Sequence, residues 1–298
     1  MKTILLTGAS GFIGGNLLQS LKNHPIYGKY KIVLLGSAPV PGHTTLLHKN
    51  YTFSKADFAD KGISEVDIVF HLGAFAPKEV NNANNIEAAN SNITSLTHLL
   101  ENLPNVPSRF IFASTVDVYK QSETALTEDN ITEPWSLYGW SKLYGEKVLE
   151  AWASQRDTVI QVMRIGHIYG RGEEKYNKII PLSIRKLLHN EKIVIFSNGA
   201  ELRSLLHVTD CARAIIAAAE LSKYEGPINV ASSQAISIKE IATTISSIMK
   251  AKDMVEIQGK PIEVRNMVFN NSKMYRLLAK EEVVFADGIK DEIEHFRF

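Results

Sequence analysis

A single cysteine, Cys211, stands in a chain of 298 residues. One thiol cannot close an internal disulfide, which excludes a cystine-stapled secreted scaffold and fits a reducing compartment. A surplus of charge of one sign is lacking too. Lys+Arg number 33 against 32 Asp+Glu, a formal net charge of +1. Nucleic-acid binding without sequence preference needs a basic field, so no nucleic-acid partner is expected. No run of about 18 apolar residues is present to span a bilayer, so no membrane partner is expected either. The first apolar run, Ile4-Leu5-Leu6, stops at Thr7-Gly8, too short for a secretory signal. These absences together predict a cytoplasmic protein. No metal-ligand spacing, repeat or low-complexity tract occurs, so no metal is expected. Cys211 falls in an apolar helical run and reads as a buried thiol.

What is present is an alternation of apolar runs. Thr3–Leu6, Lys31–Leu35, Asp67–Leu72, Arg109–Ala113 and Thr158–Ile165 read as buried strands. Helical patterns lie between them at Phe12–Leu21, about Glu87–Leu103 and about Ser136–Ala153. Continuous apolar strands separated by helices predict an α/β fold with a doubly wound parallel sheet and helices on both faces. After Gly170 the rhythm changes: Arg171–Lys178 is polar, and helices follow near Ile179–His189, Thr209–Leu221 and Ser237–Lys250. The expected division is a dinucleotide-binding domain over 1–168, with 205–230 returning to it. A smaller substrate lobe takes 169–204 and 231–298.

Gly8-Ala9-Ser10-Gly11-Phe12-Ile13-Gly14 lies between the first strand and the first helix. Missing side chains let such a loop turn tightly and approach a pyrophosphate, and the helix start supplies unpaired N–H groups. Chance gives about 0.07 glycine patterns of this spacing in this composition. Gly8, Gly11, Phe12, Ile13 and Gly14 are therefore cofactor-binding candidates. A second pattern, Y-x-x-x-K, occurs at Tyr27/Lys31, Tyr51/Lys55 and Tyr138/Lys142. Only the third opens a long helical pattern, where i and i+4 share a face, and follows a strand that ends in hydroxyls, Ser114-Thr115.

The G-x-x-G-x-x-G spacing, with Phe-Ile before its last glycine, resembles the extended short-chain dehydrogenase/reductase family. That family has a Rossmann-type sheet and includes sugar-nucleotide epimerases, dehydratases and 4-keto-reductases. The resemblance implies Tyr138 as general acid/base, Lys142 as the residue that holds the cofactor ribose, and Thr115 as the hydroxyl that shares the reacting oxygen. Ser114 would lie against the cofactor. Ionising a free tyrosine at pH 7 costs about 4 kcal/mol. A lysine charge about 5 Å away returns roughly 3 kcal/mol at an effective dielectric constant of 20. Val116-Asp117 stands where family dehydratases carry an Asp-Glu pair, which argues against 4,6-dehydration and leaves Asp117 as a loop or capping residue.

For the cofactor's form, the resemblance directs attention to the end of the second strand. NAD-preferring members carry an acid there for the ribose 2′-OH; here the strand ends Gly36-Ser37, so the expectation leans to NADP(H) over NAD(H). Asp57-Phe58 resembles the family's adenine contact, Leu72-Gly73-Ala74 the strand end beneath the cofactor, and Asn90 a supporting asparagine. His71 reads as a packed core histidine. Arg164-Ile165-Gly166-His167-Ile168-Tyr169-Gly170 resembles a family segment that contacts the sugar diphosphate, with His167 in place of asparagine. The His-Tyr-Gly run is similar to the CDP-linked dideoxyhexose synthases, which are 4-keto-sugar reductases. Arg203 matches a phosphate-clamping arginine, and Arg265 loosely matches a second. Asp210 reads as a helix cap.

The expected function is an NAD(P)-dependent oxidoreductase acting on a nucleotide-diphosphate sugar, in first place a 4-keto-sugar reductase. A 4-epimerase that retains NAD is the alternative; a non-catalytic NADP(H)-sensing regulator is the second. Trp140, Tyr144 and Val148 form one apolar stripe turned away from Tyr138. The stripe predicts a homodimer through the 136–153 and 87–103 helices, as the family pairing implies.

Overall fold

The computed structural model describes residues 1–259, 266–278 and 281–296. Strand β1 (Thr3–Thr7) runs into the glycine loop and helix α1 (Phe12–Asn23), followed by β2 (Lys31–Gly36), β3 (Thr44–Leu47) and the short helix α2 (Lys55–Asp60). Next come β4 (Ile68–His71), α3 (Ile86–Asn102), β5 (Arg109–Thr115), α4 (Leu137–Ala153) and β6 (Val159–Ile165). The second half holds β7 (His167–Tyr169), α5 (Ile179–Leu188), β8 (Ile193–Ile195), β9 (Leu202–His207), α6 (Val208–Ala218) and β10 (Ile228–Val230). It closes with β11 (Ala235–Ser237), α7 (Ile238–Ile248), β12 (Val255–Ile257), α8 (Ser272–Leu277) and α9 (Phe285–Phe296).

Seven strands form one parallel sheet in the order β10-β6-β5-β4-β1-β2-β3. The Rossmann-type doubly wound fold expected from the sequence is the one observed. Alternate side chains of each strand serve opposite faces. Ile4 and Leu6 of β1 pack with α1 and α6, while Leu5 packs with α3 and α4 beneath Val69, Phe110 and Phe112. The chain leaves β1 toward β2 and returns to β4 on β1's other side. That reversal opens a crevice at the carboxyl ends of β1 and β4, where ligands bind in such sheets. A third core, built by Ile180, Ile184, Ile241, Ile245, Ile289 and Ile293, joins α5, α7 and α9. Strands β11-β9-β7 form a separate small sheet that carries His167 and Arg203.

Strand β3 and helix α2 were not expected. Strand β3 is an edge strand of four residues, of which only Leu46 is buried, so it leaves no apolar run to read. Among the described residues no helix is long and apolar enough to cross a membrane, and no group of three or more His, Cys, Asp or Glu is placed to hold a metal ion. Cys211 is fully buried, as expected.

Candidate active site

The glycine loop is shaped by two contacts. Gly8 sits at φ +77°, a backbone region that side chains disfavour. A Cβ on Gly14 would lie 2.0 Å from the Gly8 carbonyl oxygen, so α1 can start against the loop only without one. Gly11 caps α1 with no side chain bonded to the helix N–H groups, and the first turn carries no acid. The result is an unobstructed, electropositive helix start.

That loop forms one wall of an open cleft. Gly8, Gly11, Gly36, Ser37, Leu72, Gly73 and Ala74 all line it, joined by His48, Tyr51 and Phe53 from the chain after β3. Phe12 is buried beneath Tyr176 and Lys178, Ile13 packs on the core, and Gly14 sits behind the loop. The cradle fits a dinucleotide pyrophosphate.

Asp57, Phe58 and Asn90 lie elsewhere. Asp57 is exposed and closes a capping box with Ser54 at the start of α2, bonds that hold its carboxyl below the usual range. Phe58 is fully buried in the core. Asn90 faces solvent on α3. The asparagine that does support the site is Asn92: its Oδ1 accepts from Phe75 N–H at 2.7 Å, and its Nδ2 donates to Phe75 O and to Ser141 Oγ on α4.

Helix α4 starts at Ser136, whose Oγ accepts from Gly139 N–H. Its first two turns press Tyr138 and Lys142 onto the end of β5. Lys142 Nζ donates to Ala113 O at 2.8 Å and lies 5.0 Å from the Phe112 ring centre. Burial pulls the ammonium pKa down to about 8, against the charge of Glu146 one turn on. His71 also stacks on Phe112, at 5.8 Å; burial and the Lys142 charge push its ring down to about 3, so it is a neutral core histidine. Its Nδ1 pairs with Thr7 Oγ1 at 2.9 Å, and Thr7 Oγ1 accepts from Gly73 N–H.

Tyr138 is buried, and burial together with the charge of Asp117 raises its pKa, while a hydrogen bond from Thr115 opposes the rise. Thr115 Oγ1 in turn accepts from Asp117 N–H. A phenol held above its ordinary value keeps its proton at neutral pH and can donate it. Ser114 is committed elsewhere: its hydroxyl donates to Glu146 Oε1 at 2.5 Å. Glu146 also receives Arg164 Nε at 3.1 Å and Arg164 NH2 at 2.8 Å, a wholly buried pair that ties α4 to β6. This leaves Thr115 as the hydroxyl beside Tyr138.

A second cleft takes its lining from Pro77, Lys78, Glu79, Asp117, Trp135, His167, Arg203 and Met267. His167 and Arg203, 36 positions apart, thus meet in one place. Asp117, read from sequence as a loop or capping residue, lines this cleft and acts on Tyr138. Arg265 lies outside the described residues. Asp210 is not a cap: His207 caps α6, and Asp210 pairs with Arg213 and accepts from Val283 N–H.

Comparison with known proteins gives the family and the fold. The model of the NAD dependent epimerase/dehydratase family matches residues 4–231. An uncharacterized UDP-glucose epimerase, YtcB, of Bacillus subtilis is 27% identical, over 98% of this chain and 97% of that protein. A dTDP-4-dehydro-6-deoxy-D-allose reductase of Streptomyces bikiniensis is 24% identical, over 99% of this chain and 96% of that protein. The crystal structure of a UDP-glucuronic acid 4-epimerase from Bacillus cereus, in complex with UDP-glucuronic acid and NAD, superposes with a TM-score of 0.82. It is 24% identical and covers 99% of each chain.

Proposed function

The chain belongs to the NAD dependent epimerase/dehydratase family, and from that premise we propose that it is a 4-keto-sugar reductase acting on a nucleotide-diphosphate sugar. The bound dinucleotide, NAD(H) or NADP(H), supplies hydride exchange with a sugar carbon. Gly8, Gly11 and the α1 start hold its pyrophosphate, and Lys142 holds its nicotinamide ribose. With Gly36-Ser37 at the end of β2, no carboxylate opposes a 2′-phosphate, which leaves NADP(H) open to the protein beside NAD(H).

The observation that carries the reading is Tyr138 in hydrogen-bond reach of Thr115 and near Asp117, which itself lines the cleft that holds His167 and Arg203. Tyr138 donates a proton to the sugar oxygen and Thr115 hydrogen-bonds that oxygen. Arg203 and His167 bind the diphosphate. Residues 1–168 with 205–230 form the dinucleotide domain of this reading; 169–204 and 231–298 form the substrate lobe.

The second reading, a 4-epimerase, draws support from the similarity to 4-epimerases and uses the same residues. Denaturing the purified protein and identifying what it releases separates the two. The expected result is that no dinucleotide is released, and that the native protein binds NADPH and oxidises it on addition of a 4-keto nucleotide sugar. Retained NAD, with interconversion of C4 epimers, would replace the reductase by the epimerase.

A further inference from the structure

The residues that line the first cleft include no Asp, Glu, Lys or Arg. Two of them are histidines. His71 is neutral at the β4 end, as its burial dictates. The other, His48, stands at the opposite end, beyond β3. Its backbone N–H donates to Gly36 O at 3.1 Å, which fixes it beside the end of β2, the place where such folds read the adenosine ribose.

The turn that follows is built around this ring. Tyr51 N–H donates to His48 Nδ1 at 3.1 Å, and the two rings stack at 4.8 Å and 22°. To bring Tyr51 there, Asn50 and Tyr51 both adopt left-handed φ, 52° and 61°, in a turn closed by the Lys49–Thr52 bridge. Two left-handed residues inside an antiparallel bridge make a type I′ turn; Asn50 tolerates that backbone, and the contacts to His48 hold Tyr51 in it. With Nδ1 accepting from Tyr51, the neutral ring carries its proton on Nε2. Charging the ring would need a proton on Nδ1 and the loss of that bond. Burial also holds the ring below its ordinary value, and it pushes the Tyr51 phenol up, so both side chains are neutral at pH 7.

We propose that His48, seated by Tyr51, reads the adenosine ribose as an uncharged hydrogen-bond donor, so that the cleft takes the 2′-hydroxyl and the 2′-phosphate dinucleotide alike. This rests on the functional reading above. A carboxylate at this place accepts from the 2′-OH and repels the phosphate; an arginine attracts the phosphate. A neutral donor bonds either and prefers neither strongly.

The test is direct titration of the purified protein with NADH and, separately, NADPH at pH 7.5, read by nicotinamide fluorescence. The two dissociation constants should agree within about tenfold. His48→Ala should weaken both by up to about tenfold, the loss of one neutral hydrogen bond. His48→Arg should tighten NADPH at least about tenfold relative to NADH, and Ser37→Asp should weaken NADPH by a similar factor. A wild-type preference above about 100-fold for either form, or an unchanged ratio in folded His48→Arg, would overturn the inference while leaving the dinucleotide site intact. If neither dinucleotide binds, the functional reading falls and this inference with it. The wild-type ratio decides the matter even if a variant fails to fold.

Discussion

Replacing Glu146 by Gln should cost far more stability than its distance from the sugar cleft suggests. Glu146 is fully buried and accepts from Ser114, Arg164 Nε and Arg164 NH2. An amide keeps one acceptor but turns its NH2 toward a guanidinium donor, and it leaves the Arg164 charge buried without a counter-ion. Breaking one side of a buried pair costs about 3–5 kcal/mol. Unfolding entropy of about 2.1 cal/mol/K per residue gives roughly 0.6 kcal/mol/K for a chain of this length, so Tm should drop by about 5–8 °C. The control is Lys147→Gln, which removes the exposed Lys147–Glu150 pair and should cost under about 1 kcal/mol. Glu146→Leu combined with Arg164→Met removes both charges and should recover most of the loss, because apolar side chains of similar volume often replace a buried pair at no cost. Thermal unfolding followed by circular dichroism measures all three. A Glu146→Gln Tm within about 1 °C of wild type would refute the claim that this pair clamps α4 onto β5 and β6.

Two further outcomes follow from the structure. Glu292 on α9 is buried, and burial and the nearby Glu173 charge raise its carboxyl to about 9 against an opposing Lys178. A raised carboxyl stabilises the fold at low pH and loses that contribution as pH climbs through about 9, so Tm should fall between about pH 5 and 9, and Glu292→Gln should flatten the decline. An equally steep decline in the variant would remove Glu292 as its source. On α4, Trp140 and Tyr144 are 49% and 53% exposed while Val148 is partly covered by core. An exposed aromatic pair of this kind suits a partner surface, so light scattering at micromolar concentration should give twice the protomer mass, and Trp140→Glu should shift the protein toward monomer. A wild-type monomer would dispose of the dimer.

Most of the sheet was legible because buried parallel strands are written as continuous apolar runs, and the Tyr138 helix because its helical pattern is long; the structure adds that Ser136 caps it. The region after β2 was not. There β3 is short and exposed, and Asp57-Phe58 imitates an adenine contact while obeying a different rule, the Ser54-x-x-Asp57 capping pattern. His48 and Tyr51, which line the cleft instead, sit in a turn that no glycine marks. Asn90 and Asn92 show how helical register decides. Asn92 shares a face with the buried Ser95, Leu96 and Leu99, at i+3, i+4 and i+7; Asn90 is turned roughly 200° from it. That signal was present in the spacing. Asp117 needed the structure: the single 3₁₀ turn over Val116–Val118 carries it from the strand end into the second cleft.

The central claim is that Tyr138 supplies the proton. Phe75 packs edge-on against its ring at 6.4 Å without using the hydroxyl, while Thr115 bonds the hydroxyl itself. Tyr138→Phe should therefore lower turnover of a 4-keto nucleotide sugar at least about 100-fold, the low end for loss of a general acid, with the dissociation constant for NADPH within about threefold of wild type. A Tyr138→Phe protein that keeps most of its turnover would contradict the account.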